Sequence, residues 1–131
     1  MGIGITGYSK GAAAVAEAED MTVREAVELL SLQVCAGAGG LEAEVSEGIA
    51  CDLLSVVLSH APRGALWITV QCHPNVVAVA QMVGLAGIVI AHGFEPEEET
   101  RARAEAEGLP VLTTTESTFA VAGALAARGV R

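Results

Sequence analysis

The sequence predicts an α/β domain: three layers, α/β/α, built around a mainly parallel sheet. Three observations carry this expectation. Short runs rich in β-formers alternate with helical stretches of about ten residues, the pattern of strand–helix–strand units. Residues 64–94 hold no Asp, Glu, Lys or Arg, as strands covered on both faces require. Only Tyr8, Trp67, Phe94 and Phe119 are aromatic in a chain that is 52% hydrophobic. The core must therefore be assembled from Ala, Val, Leu and Ile, side chains that let helices lie close to a sheet.

The folded domain is expected over residues 21–131. Residues 1–20 read as an N-terminal extension that the core does not need. Their Gly2-Ile3-Gly4-Ile5-Thr6-Gly7 spells GxGxxG, yet no strand precedes it and no acidic residue ends a second strand about 20 positions on. Organisation starts at Met21, where Thr22 and Glu25 form a T-x-x-E capping box and Val23, Ala26, Val27 and Leu30 follow at helical spacing. Gln33–Ala36 reads as a short strand ended by the glycines at 37, 39 and 40, and Leu41–Val45 as a further extended segment. Asp52–His60 is a helix closed by Pro62 and Gly64. Leu66–Cys72 is the clearest strand, and Pro74 opens a helix over Asn75–Val83.

Gly87–Ala91 is a buried strand. Glu97–Glu107 is a solvated helix with acids in its first turn and Gly108 beyond its end. Val111–Thr113 is a last strand, and Ser117–Arg128 a last helix stopped by Gly129. Crossovers between parallel strands should be right-handed.

The formal charge of −9 argues against nucleic acid and against anionic membrane surfaces, since both are bound by neutralising phosphates. Cys35, Cys51 and Cys72 are odd in number and widely spaced, which is no disulfide framework and fits a reducing, cytoplasmic setting. No leader with a basic flank and a long apolar run is visible. Gln71, His73, Pro74 and Asn75 interrupt the uncharged stretch too early for a membrane span.

Ligands of open parallel sheets gather at the carboxyl ends of the strands. Those ends hold Cys35–Gly40, Cys72-His73-Pro74-Asn75, His92-Gly93 and Thr113-Thr114-Thr115. The ends at Cys72 and Thr113 lead into helix N-termini, whose free amides favour an anion. His73, Asn75, Gly93, Thr114 and Thr115 are accordingly the candidate ligand-binding residues, for phosphate or an adenine nucleotide. The competing reading makes His73 and Thr114 or Thr115 simple helix caps. Cys35, Cys72, His73 and His92 match no metal-ligand spacing, so neither metal nor other cofactor is expected. Ser55 and Ser59 near His60, or Cys72 beside His73, lack a carboxylate to orient the histidine, so no catalysis is expected.

Two segments carry a family resemblance. Leu41-Glu42-Ala43-Glu44-Val45-Ser46-Glu47-Gly48, continuing through Ser55, and above all Leu66-Trp67-Ile68-Thr69-Val70-Gln71-Cys72-His73-Pro74-Asn75-Val76-Val77-Ala78-Val79-Ala80 resemble the DRTGG domain family, over about residues 21–131. The naming motif is degraded: Glu42 stands for its Asp, Ala43 for its Arg, Ser46 for its Thr and Glu47 for its first Gly, with Gly48 kept. The resemblance implies a small, usually non-catalytic α/β module that pairs as a homodimer. Relatives of this kind accompany phosphotransacetylase domains and the CBS pairs of regulated pyrophosphatases. Others stand alone near iron-only hydrogenases, often labelled HPr-kinase-like, and this length fits them best. The function so implied is sensing a small anionic ligand or docking on a partner enzyme. The alternatives are a ligand-free interaction protein associated with iron-only hydrogenase or redox machinery, and an enzyme or phosphotransfer component.

Overall fold

Thr22 starts the first helix as its spacing with Glu25 requires. In a computed structural model of the chain, which describes residues 20–131, its hydroxyl accepts from the Glu25 amide at 3.2 Å, and the Glu25 carboxylate accepts from the Thr22 amide at 3.0 Å. The reading of residues 1–19 as an extension lies outside the described residues. Helix α1 (Val23–Leu30) ends at Ser31, which takes a left-handed φ of 54° and turns the chain into β1 (Gln33–Ala36). Gly37 follows at φ 76°, where a Cβ would meet Leu109 O at 2.0 Å, so no other residue fits this turn.

The expected extended segment Leu41–Val45 is not a sheet strand. Its backbone is spent on α1: Val23 N donates to Ala43 O, Arg24 N to Leu41 O, and Val45 N to Met21 O. Only an isolated bridge, Thr22 to Glu44, has β character. The strand comes later, as β2 (Gly48–Ala50). Then follow α2 (Leu54–His60), β3 (Leu66–Thr69), α3 (Asn75–Val83), β4 (Gly87–Ile90), α4 (Glu98–Glu107), β5 (Val111–Thr113) and α5 (Thr118–Ala127). β3 ends three residues before Cys72, so the Cys72 segment belongs to a loop rather than to the strand.

The five strands lie in the order β1-β5-β4-β3-β2, parallel except for β1, which runs antiparallel to β5. β2, β3, β4 and β5 thus step one way across the sheet. Crossovers of a single hand then place α2, α3 and α4 on one face, and their apolar side chains share a core there. Val57, Val76, Val77, Ala80 and Ala104 pack with Trp67, Ile88, Ile90 and Val111. The other face is covered by the first and last helices: Val23, Ala26, Val121 and Leu125 pack with Leu66, Ile68, Val89 and Leu112. The alternation of Leu66 and Ile68 on one side with Trp67 on the other is the strand period made visible. The result is the three-layer α/β/α arrangement the sequence predicts.

Trp67 is fully buried, and its indole N–H donates to Cys51 O at 2.7 Å, tying the exit of β2 to β3. Trp67→Phe keeps most of the apolar volume and leaves that carbonyl without its donor. It should lower the unfolding free energy by about 1–3 kcal/mol in a urea titration. A loss below about 0.5 kcal/mol would show that water replaces the indole freely.

Candidate functional site

Helix α4, after β4, lies on one face of the sheet, and helix α5, after β5, lies on the other. The chain therefore leaves adjacent parallel strands in opposite directions at the β4/β5 boundary, and the exits part around a crevice, the place where open α/β sheets seat ligands. A cleft of ≈ 220 Å³ opens there. Gly93 from the β4 exit and Thr113, Thr114 and Thr115 from the β5 exit line it. Ser31 and Gln33 reach the same cleft because β1 is antiparallel and begins opposite Thr113. Glu95 contributes the one charged side chain of the lining.

The two exits are stapled together by an unusual backbone. His92 adopts φ 65° and Gly93 follows at φ 80°. A left-handed conformation at a non-glycine residue costs about 1–2 kcal/mol. Here the turn lets the amides of His92 and Gly93 reach Glu116 O and Thr114 O, at 2.8 and 2.9 Å. The His92 ring closes the staple, its Nε2 accepting from the Thr118 amide at 3.1 Å. Thr114 is bound into the same turn, its hydroxyl accepting from the Glu116 amide at 3.1 Å. Thr115 stays exposed at the mouth.

These contacts decide what the helix ends can offer. In α5 the Thr118 amide is taken by His92 and the Ala120 amide by Ser117 Oγ. In α3 the Asn75 amide is taken by His73 Nδ1 at 3.1 Å, the Val76 amide by His73 O and the Val77 amide by Pro74 O. His73 is thus a cap of α3, the competing reading of the sequence, and Thr114 is part of the turn that leads to α5. Of the sequence-predicted site residues, Gly93, Thr114 and Thr115 come together in one cleft. His73 and Asn75 do not line it, since β4 stands between β3 and β5. Sequence reasoning missed Ser31, Gln33 and Glu95. The antiparallel course of β1 brings the first two there, and nothing in the one-dimensional pattern marks that direction.

The remaining chemistry-bearing residues are engaged elsewhere. Ser59 Oγ donates to Ser55 O at 2.8 Å and lies 2.9 Å from His60 Nδ1 on an exposed helix end. Among the described residues no three His, Cys, Asp or Glu side chains group to hold a metal ion, and no helix is long and apolar enough to cross a membrane. The degraded motif lies at the opposite edge of the sheet, where Leu66 N donates to Glu47 O at the entry to β3. There Glu42 pairs with Arg24, and the Ser46 hydroxyl donates to Arg63 O.

Burial, together with the Glu97 and Glu95 carboxylates, pushes the Cys72 thiol above its ordinary value of 9.0. A thiol raised in the folded state favours folding below that ordinary value and loses the advantage as pH climbs past it, because unfolding then releases a proton. Stability should therefore fall more steeply between about pH 8 and pH 10 in the native chain than in Cys72→Ala; parallel curves would contradict this. His73→Ala, which uncaps α3, should cost about 0.5–2 kcal/mol in thermal or urea unfolding. An unchanged midpoint would show that water satisfies the Asn75 amide equally well.

Comparison with known proteins bears out the resemblance seen in the sequence. No curated protein sequence matches the chain. Among solved structures, the fold is similar to the CBS and DRTGG domains of the regulatory region of Clostridium perfringens pyrophosphatase, crystallised with its activator diadenosine tetraphosphate. The TM-score is 0.64 at 12% identity, over 79% of this chain and 45% of that one. The chain thus spans under half of that regulatory region, and at this identity the likeness is one of fold. The family model of the DRTGG domain matches residues 25–127, and the chain belongs to that family.

Proposed function

We propose that this chain is a non-catalytic regulatory or accessory domain, and that its ligand seat is the cleft between the exits of β4 and β5. The observation that carries this reading is the parting of α4 and α5 to opposite faces, which opens a polar crevice at the carboxyl edge of the sheet. A strained residue, His92, holds the crevice in shape, and such outliers persist where the surrounding structure over-determines them. A small nucleotide is the ligand class favoured, since the regulatory region with the similar fold was crystallised with an adenine dinucleotide. Catalysis is disfavoured by the state of the nucleophiles. Burial and the Glu97 and Glu95 carboxylates raise the Cys72 thiol above its ordinary value, and the Ser59 hydroxyl donates to Ser55 O.

A second reading, docking on a partner enzyme or on a second copy, draws on the phenylalanines. Phe94 is 53% exposed and Phe119 87% exposed. Phe94 follows directly on Gly93 in the β4 exit, and Phe119 sits in the first turn of α5. Large aromatic side chains left in water are common anchors of interfaces.

Titration calorimetry with AMP separates the two. The seat reading expects a dissociation constant in the micromolar to millimolar range, about −4 to −8 kcal/mol. Thr115→Val should weaken binding several-fold and His73→Ala should leave it unchanged. Loss of binding with His73→Ala alone would move the seat to α3. Absence of binding together with a concentration-dependent dimer lost in Phe119→Ser would favour docking.

A further inference from the structure

The lining of the cleft specifies which part of a ligand it can hold. Ser31, Gln33, Thr113 and Thr115 offer hydroxyl and amide groups, and Glu95 offers a carboxylate. No arginine of the described residues lines the cleft. Arg24 is paired with Glu42, while Arg101 sits by Glu98 and reaches Cys35 O. Several of the amides that usually cradle phosphate at such an edge are engaged internally: His92 and Gly93 with the β5 exit, Thr118 with the His92 ring, Ala120 with Ser117. Thr113 is 4% exposed, with Cys35 Sγ 3.5 Å from its hydroxyl, so a charge pressed against this floor would lose its water.

We infer that the cleft takes the uncharged, hydroxyl-bearing portion of a nucleoside-type ligand, with Glu95 accepting from its sugar hydroxyls and any phosphates held outside in solvent. The inference rests on the seat proposed above. A carboxylate accepting hydroxyl donors makes short, charge-assisted hydrogen bonds, and a carboxylate facing phosphate repels it. Glu97 adds a second carboxylate near this edge, and after burial it and Glu95 are what raise the neighbouring Cys72 thiol. Size agrees with chemistry. The cleft, at ≈ 220 Å³, is smaller than the about 300–1,000 Å³ of sites that enclose drug-sized molecules. That volume suits a fragment of a nucleotide better than the enclosure of a whole one.

Calorimetric titration of the full chain at low ionic strength with adenosine, AMP, ATP and inorganic phosphate tests this, using the native sequence, Glu95→Gln and Thr115→Val. Affinity should fall with each added phosphate, and phosphate alone should give no binding heat. Glu95→Gln should weaken adenosine by about tenfold and narrow the gap between adenosine and ATP. ATP or phosphate binding more tightly than adenosine, in a manner sensitive to Thr115→Val, would overturn the inference while leaving the seat in place. Binding indifferent to both substitutions, or no binding by any of the four, would overturn the seat and the inference with it.

Discussion

The direction in which the strands are laid down governs the rest of the molecule. β2, β3, β4 and β5 follow one another across the sheet without reversal, so crossovers of one hand commit three helices to the same face. That leaves the second face bare of any crossover helix. Segments outside the crossovers must cover it, and α1 and α5 do so, joined by Leu41 and Val45 from the β1–β2 connection. β1, entering from α1, takes the free edge beside β5 and runs antiparallel to it. Every feature of the β4/β5 cleft descends from this arrangement. α5 must cross to the second face and α4 must not, and the start of β1 is delivered to the edge where they part.

The carboxyl edge shows how an acidic chain with few cations manages its helix ends. Two of the N-termini there are capped from within, α3 by His73 and α5 by Ser117 and the ring of His92, while α4 carries acids in its first turn. Internal caps stabilise the fold and remove the free amides that would attract phosphate. The same logic holds at the opposite edge. A motif position that elsewhere carries arginine is Ala43, and the neighbouring Glu42 is neutralised by Arg24 from α1. The cleft at the carboxyl edge, with no arginine or lysine in its lining, lacks the concentrated positive charge on which tight phosphate binding rests.

Much of the fold was legible because the punctuation of the chain is strong. The capping box of Thr22 and Glu25 starts α1 as read, and Gly84 and Gly108 end their helices with φ of 82° and 67°. The uncharged runs over β3 and β4 announced strands buried on both faces. Two things were not legible. β2 is three residues with one large apolar side chain, Ile49, too short to display a period, while Leu41–Val45 displays one that α1 then claims for its own backbone bonds. The direction of β1 leaves no trace in composition either, so Ser31 and Gln33 could not be placed with the threonines. His73 was grouped with Thr114 and Thr115 because all follow strands; strand order, which decides adjacency, is a three-dimensional fact.

The central claim is that the β4/β5 switch point, rather than the end of β3 or the degraded loop, is where this domain meets its ligand. Mapping backbone amide shifts on isotope-labelled protein during addition of adenosine tests it most directly. Perturbations should centre on Gly93, Glu95, Thr114 and Thr115, reach Ser31 and Gln33 through the start of β1, and leave Asn75 and Gly48 still. Perturbations centred on the first turn of α3, or on residues 42–48, would contradict the account.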